Sequence, residues 1–335
     1  MTFVRALVAV ALVQVTVVSS VATPASAETL RCNGRAALCE RPLGEVVFAS
    51  THNSMAATAY QFRPPNQRLS IPQQLDMGIR GFQIDAYAGT PRNGRVFTDL
   101  AGRFGDTSGI PPRVFAAGER LHAAAGAPPP GTPTEVYLCH VFCELGAIRA
   151  VKVFRAMREF LDTHPHELLL LVIEDYVDPA RIADVLDEAG LTPMLLTTPP
   201  GSTLPTLGEM VRAGTRVLIA LENGDGGDTL PNAFARLVDE TPYNFRNQAA
   251  LVDFSTSCSS HRGVENGQIF QFNHWVTPAN PRAARRVNAE DVLRERIEQC
   301  HRVRGRGPTM VAVDFAERGD VVKVVRALNR ANGTP

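Results

Sequence analysis

The stretch LLLLVIED, residues 168–175, decides the fold class of this 335-residue chain. It is a continuous apolar run of Leu, Val and Ile that ends on two carboxylates. A continuous run of this kind indicates a strand that is covered on both faces. Such strands occur in parallel sheets flanked by helices, so the stretch predicts an α/β fold.

Further β-rich runs occur along the chain, with segments of helical period between several of them. Residues 145–164 carry apolar positions three or four residues apart, and residues 178–191 open with Asp-Pro and reach a glycine where a helix would end. Residues 288–303 and 318–332 follow the same pattern. The predicted strands are EVVFAS (45–50), IRGFQID (79–85), EVYLCH (135–140), LLLLVIED (168–175), RVLIALEN (216–223), ALVDFS (250–255), IFQFN (269–273) and MVAVDF (310–315).

The number of strand–helix units favours a closed barrel over an open sheet. About eight units in roughly 290 residues fit a (β/α) barrel. A doubly wound sheet would usually show a glycine-rich phosphate loop after its first strand, and THNSM (51–55) is not one. The stretch 88–134, rich in Gly and Pro, is predicted to be a long irregular insertion.

Composition and charge narrow the class of protein. The chain is 44% hydrophobic, which suits a sizeable core. Its 34 basic and 34 acidic residues give zero formal net charge, and the two signs are intermixed. Because no basic stripe is present to follow a phosphate backbone, nucleic acid is not expected as a partner.

The N-terminus and the cysteines indicate export. Residues 1–27 combine Arg5, an apolar stretch and the small residues ASA (25–27), which is typical of a cleaved signal peptide. Polar residues interrupt the apolar part, so it is a poor membrane span. Six cysteines allow 15 pairings, but they fall into neighbouring groups, and disulfides are expected in an oxidising compartment rather than a metal cluster. The groups are Cys32 with Cys39, Cys139 with Cys143, and Cys258 with Cys300.

Polar or ionisable side chains close nearly every predicted strand. Because the carboxyl ends of parallel strands open onto one face of a barrel, these side chains are expected to gather there. Each alone has an ordinary explanation, but their joint occurrence after almost wholly apolar strands indicates a functional site. The set is His52, Asn53, Gln83, Asp85, His140, Glu174, Asp175, Glu222, Asn223, His274 and Asp314.

These residue types suit proton transfer beside an oxygen-ligated cation. Two histidines, His52 and His140, can serve as general base and general acid. Carboxylate and amide oxygens suit Ca²⁺ or Mg²⁺, whereas zinc would need closely placed His or Cys ligands. A serine nucleophile is the weaker hypothesis, because Ser54 lies nearby but no GxSxG motif is present.

Five segments share one pattern along the chain: THNS (51–54), QQLDMGIRGFQIDAY (73–87), LCHVFCELGA (138–147), VIEDYV (172–177) and VAVDFAERGD (311–320). Together they resemble the X-domain superfamily of phosphatidylinositol-specific phospholipase C, and most of all its small secreted phospholipase C-like phosphodiesterases. The likeness runs in order over roughly residues 44–330 and implies a distorted TIM (β/α) barrel. We therefore expect a barrel domain (44–335) after the signal peptide (1–27) and a disulfide-bearing segment (28–43).

The resemblance implies a role for each matched residue. His52 would take the proton from the attacking inositol 2-hydroxyl, and His140 would donate one to the departing lipid alcohol oxygen. The immediate product would be a cyclic phosphodiester. Asp314 would orient a catalytic imidazole. The implied substrate is a phosphoinositide or a related glycerophospho-compound.

The superfamily has a metal-free branch and a calcium branch. In the metal-free branch an arginine matches Asp85 and an aspartate matches Asn53, whereas this chain has the calcium-branch residues at both positions. Glu174 matches a third ligand. Gln83 stands where the calcium branch usually has a glutamate, and an amide brings less charge to a cation. The implied metal ligands are therefore Asn53, Gln83, Asp85 and Glu174, for Ca²⁺ or alternatively Mg²⁺.

Two alternatives stay open. One is a glycerophosphodiesterase or sphingomyelinase D-like enzyme of the same barrel superfamily, although its two histidines lie much closer in sequence than His52 and His140. The other is a catalytically idle barrel that binds inositol phosphates or lipid surfaces. In either case we expect a secreted monomer that meets a phospholipid or another phosphodiester, with transient membrane contact. Trp275, the only tryptophan, is expected to pack beneath a loop at the barrel mouth rather than enter a lipid interface.

Overall fold

The structure is a computed structural model that describes residue 2 and residues 30–100, 112–129 and 131–330. Apart from residue 2, the predicted signal peptide lies outside the described residues. No helix in the described part of the chain is long and apolar enough to cross a membrane.

The described residues form ten strands and ten α-helices. The strands are β1 (Phe48–Thr51), β2 (Gly81–Arg92), β3 (Arg95–Thr98), β4 (Glu135–Leu138), β5 (Ile148–Arg149), β6 (Leu169–Tyr176), β7 (Val217–Leu221), β8 (Val238–Glu240), β9 (Ile269–His274) and β10 (Met310–Val313). The helices are α1 (Ile71–Met77), α2 (Pro112–Ala124), α3 (Ala150–Thr163), α4 (Pro179–Glu188), α5 (Leu207–Ala213), α6 (Gln248–Leu251), α7 (Phe254–Ser257), α8 (Pro281–Val287), α9 (Glu290–Arg304) and α10 (Val321–Arg330).

Seven parallel strands form the central sheet, in the order β8-β9-β10-β1-β2-β6-β7. Helices connect most of these strands, as the sequence pattern predicts. In the described residues no β-ladder joins β7 to β8, the two ends of this series. The α/β prediction is confirmed.

Both faces of the sheet are buried, and successive side chains along each strand point to opposite faces. In β6, Leu169, Leu171 and Ile173 pack in the core between the sheet and the outer helices. Leu168, Leu170 and Val172 pack in the cluster that includes the interior of the barrel-like sheet. Because side chains alternate along a strand, every parallel strand has one inward-facing and one outward-facing series.

Two strand predictions need correction. EVYLCH contains β4, but β4 runs antiparallel to β2, because β2 extends beyond the parallel sheet and its last half pairs with β3 and β4. ALVDFS is not a strand: it falls in α6 and α7, where the Asn247 side chain accepts a hydrogen bond from the Ala250 N–H and caps the first helix. The strand of this region is β8, which is too short and too acidic to give an apolar pattern.

The stretch 88–134 is also more regular than predicted. Its described residues contain the hairpin of β2 and β3 and the helix α2. Residues 101–111 and 130 lie outside the described residues. The described part of this segment therefore contains regular structure, where the sequence predicted an irregular insertion.

The predicted helices and cysteine groups are confirmed. The apolar face of α3 is buried through Val151, Phe154, Met157 and Leu161, and the Asp178 side chain caps α4 by accepting from the Ala180 N–H. All six cysteines form disulfides, within the three neighbouring groups: Cys32–Cys39, Cys139–Cys143 and Cys258–Cys300.

Candidate active site

Strand register brings His52 and Asp314 together. Thr51 of β1 pairs with Val313 of β10, so the next residues of both strands leave the sheet at the same level. There, Nδ1 of His52 lies 2.9 Å from Oδ1 of Asp314. The Asp314 side chain is only 4% exposed, and Asn66 also donates to its Oδ1, at 3.1 Å. This buried carboxylate fixes the orientation of the His52 ring.

A second histidine–carboxylate pair lies on β2 and the turn after β4. The Cys139 N–H donates to the Asp85 carbonyl, which places His140 beside β2. Nδ1 of His140 is 2.8 Å from Oδ2 of Asp85. The carboxylate is 4% exposed and the imidazole 39% exposed, and the Cys139–Cys143 disulfide closes the turn that carries the ring.

The surroundings of His140 favour its protonated form. Burial of the imidazole opposes protonation, but the hydrogen bond to Asp85 and the negative charges of Asp85, Glu174 and Asp314 outweigh it. Together they raise the pKa of His140 above its ordinary value. This histidine is therefore suited to donate a proton.

The four predicted metal ligands, Asn53, Gln83, Asp85 and Glu174, line the same cavity as the two histidines. Asp85 and Glu174 are register partners on β2 and β6. Burial, and then the charge of Asp85, raise the pKa of Glu174, while a hydrogen bond from the Tyr176 hydroxyl acts in the opposite direction. Two adjacent carboxylates repel each other, and a cation between them would relieve that repulsion.

Gln83 gives an independent test of whether a cation fits here. Its Nε2 donates to Oδ1 of Asn273 at 3.1 Å. Its Oε1 is buried and has no partner among the described residues, although a buried oxygen normally accepts a hydrogen bond or binds an ion. The donors are all oxygens, which suits Ca²⁺ or Mg²⁺. In the described residues, no group of three or more His, Cys, Asp or Glu is arranged for a metal, so amides would have to complete the set.

The cavity has a volume of about 390 Å³, the size of a small-molecule site. Its lining includes Trp275, which the sequence predicted to pack at the barrel mouth, and residues that the sequence did not single out, namely Tyr87, Tyr176, Glu240, Tyr243, Arg262, Gln271 and Asn273. Arg262 ion-pairs with Glu222 at 3.1 Å and with Glu240. Glu222 directly follows β7 and Glu240 is the last residue of β8. The Arg262 guanidinium therefore links the ends of these two strands, which are not joined by a β-ladder in the described part of the chain.

A model of the PI-PLC X family, described as PI-PLC X 1, matches residues 130–329, more than half of the chain. The chain belongs to the PI-PLC X family. It is 26% identical over 328 residues to PI-PLC X domain-containing protein 1 of Arthroderma benhamiae, with 91% of each chain covered.

Two solved structures share the fold of this PI-PLC X chain. Phosphatidylinositol-specific phospholipase C of Listeria monocytogenes aligns with a TM-score of 0.50 and 16% identity, over 86% of this chain and 94% of that one. Phosphatidylinositol-specific phospholipase C of S. aureus, in a structure that concerns its membrane binding, aligns with a TM-score of 0.52 and 10% identity. The alignment covers 89% of this chain and 95% of that one. The fold is that of the TIM-barrel-like phospholipases C, as predicted from the sequence.

The alternation of the strands sorts the predicted site residues of this PI-PLC X chain. Those in the cavity continue the inward-facing series, as Glu174 does after Leu170 and Val172. Asp175 and His274 belong to the outward-facing series, and Asn223 follows Glu222. The carboxylate of Asp175 accepts from the backbone N–H groups of 223 and 224, and burial raises its pKa to about 6.

His274 has a structural role. Its Nε2 lies 2.8 Å from the Val287 carbonyl and its Nδ1 3.2 Å from Arg296. Burial and the Arg296 charge lower the pKa of His274 to about 3. The ring is therefore neutral, fully buried and outside the cavity.

Proposed function

We propose that this PI-PLC X chain is a phosphoric diester hydrolase that cleaves a phosphoinositide or a related phosphodiester by His–His acid–base catalysis. One observation carries the proposal: two imidazoles, each bound through Nδ1 to a buried carboxylate, line one cavity. A carboxylate at Nδ1 holds the proton there and leaves Nε2 for the substrate. Structural histidines do not need this paired arrangement.

His52 is the general base of the proposed reaction. With the proton held at Nδ1 by Asp314, Nε2 accepts a proton from the inositol 2-hydroxyl as its oxygen attacks phosphorus. Asp314 then stabilises the imidazolium. Asn66, which also donates to Asp314, keeps that carboxylate in place.

His140 is the general acid. The surroundings that raise its pKa favour its protonated form, which can donate to the lipid alcohol oxygen as the bond from that oxygen to phosphorus breaks. The bond from phosphorus to the inositol 2-oxygen forms in the same reaction. The products are a cyclic inositol phosphodiester and the lipid alcohol.

Asn53, Gln83, Asp85 and Glu174 would hold Ca²⁺, with Mg²⁺ as the alternative. When bound, such a cation neutralises charge on the phosphoryl oxygens and lowers the pKa of the attacking hydroxyl. The unpartnered Gln83 oxygen and the adjacent carboxylates of Asp85 and Glu174 support this assignment.

We further propose a secreted monomer that contacts membranes transiently. All six cysteines form disulfides, as oxidising compartments favour. Two apolar side chains support membrane contact: Leu121 is 62% exposed and Leu145 is 42% exposed. They adjoin His122 and Glu144, which form an ion pair of 2.5 Å between α2 and the turn after β4 that carries His140.

Phosphorus NMR of metal-stripped protein with phosphatidylinositol micelles tests the proposal. A cyclic inositol phosphate signal that needs added Ca²⁺ would support both the chemistry and the cation site. The same signal without metal would keep the two histidines and overturn the cation assignment. No product under either condition, with binding to the micelles retained, would support the idle lipid-binding barrel instead.

A further inference from the structure

Trp275 lies flat against the ring of His52. Their ring centroids are 3.7 Å apart and their planes differ by 4°. The indole is 5% exposed, and the imidazole side chain is 21% exposed. The sequence led us to expect Trp275 beneath a loop; it is buried as expected, but its partner is the proposed general base.

Strand register produces this stack. Val313 of β10 pairs with Thr51 of β1 on one side and with His274 of β9 on the other. The next residue of each strand is therefore at one level, and these residues are His52, Asp314 and Trp275. The contact thus comes from three neighbouring strands of the central sheet and not from a chance approach of a loop.

We propose that Trp275 is a positioning residue for His52 that fixes the plane of the imidazole ring. This inference rests on the role proposed for His52. Asp314 holds one edge of the ring in plane, and the indole covers one face, so the ring keeps the direction in which Nε2 meets the substrate.

A second histidine lies near this stack without touching it. Tyr243 lies beside the indole, with ring centroids 6.5 Å apart, and His261 contacts Tyr243 edge-on. His261 is therefore a matched control for His52.

The single tryptophan makes the contact directly measurable. The imidazole of His52 covers one face of the indole, so His52→Ala should let water reach that face. We expect the emission maximum of the full protein to move to longer wavelength in His52→Ala and to stay in place in His261→Ala. An unmoved emission maximum in His52→Ala would overturn the proposal.

Activity gives the second readout. In Trp275→Leu the plane of the His52 ring is no longer held, so kcat should fall on the order of tenfold while KM stays nearly unchanged. Trp275→Phe keeps an aromatic face against the ring and should restore much of the rate. An unchanged kcat in Trp275→Leu, or an equal loss in the two variants, would overturn the proposal.

Two measurements guard against trivial outcomes. A crystal structure of folded Trp275→Leu reports the orientation of the His52 ring without catalysis; an unmoved ring would overturn the proposal. If the unchanged protein cleaves no phosphodiester, the proposed function fails, yet the shift of the emission maximum in His52→Ala still reports the contact between His52 and Trp275. The two failures are therefore distinguishable.

Discussion

Asp85 and Glu174 lie side by side as register partners on two parallel strands, so the sheet itself brings two carboxylates together at the mouth of the barrel. Asp85 also accepts from His140, at 2.8 Å. One carboxylate thus belongs both to the proposed general acid and to the proposed cation site. A substitution of Asp85 should therefore change both the protonation of His140 and the affinity for a cation, and each effect can be measured on its own.

Replacing Asp85 should move the protonation of His140. The hydrogen bond and charge of Asp85 raise the pKa of that imidazole, so Asp85→Asn should lower it. Because a general acid works only when protonated, the basic limb of kcat/KM should move to lower pH. The NMR titration of the His140 Cε1–H signal in calcium-free protein measures the same change without metal. Glu135→Gln, an exposed carboxylate on the strand before His140, is the control, and an unmoved signal in Asp85→Asn would contradict the assignment.

Removing either cavity histidine should abolish most turnover. General acid–base groups contribute on the order of a hundredfold to ten-thousandfold, so His52→Ala and His140→Ala should each lose kcat within that range. Lipid binding in sedimentation assays should remain. His166→Ala, outside the cavity, should retain full activity. Comparable losses in all three variants would show that the histidines act through stability alone.

Gln83→Glu should strengthen cation binding and lower the stability of the cation-free protein. The added charge should raise Ca²⁺ affinity roughly tenfold, measured by calorimetry. Without cation, the variant loses the hydrogen bond to Asn273 and buries a carboxylate, which should lower the free energy of unfolding by about 1–3 kcal/mol. Added Ca²⁺ should restore this stability. Gln67→Glu, a buried glutamine outside the proposed ligand set, should show no recovery, and equal behaviour of the two variants would exclude the site.

The charge of the cavity should reject head groups that carry extra phosphates. Its described lining holds Asp85, Glu174, Glu222 and Glu240 against a single guanidinium, Arg262, which two of these carboxylates already engage. A further phosphate adds about two negative charges, so phosphatidylinositol should be cleaved at least about a hundredfold faster than its 4,5-bisphosphate. Mixed-micelle kinetics measure the ratio, and Glu222→Gln should narrow it. Equal rates for both lipids would refute this account.

Much of the candidate site could be predicted from the sequence, because the alternation of side chains along a strand is a local property. After LLLLVI the chain must place Glu174 and Asp175 on opposite faces, and the inward face belongs to Glu174. The same rule applied to IFQFNHW (269–275) would have selected Gln271, Asn273 and Trp275 over His274. Position at a strand end does not distinguish the two faces, so the strand-end pattern also includes Asp175 and His274, which the structure places outside the cavity.

By itself, the sequence determined the α/β class, the main helices, the cysteine groups and the two histidines, since these follow from local period, spacing and motif. Tertiary structure alone decided the antiparallel direction of β4, the span of Arg262 between Glu222 and Glu240, and the stack of Trp275 on His52. Each of these depends on which strands become neighbours and in what register. Residues that are hundreds of positions apart, such as His52 and Asp314, meet only through that pairing, and no local pattern in the chain encodes the distance between them.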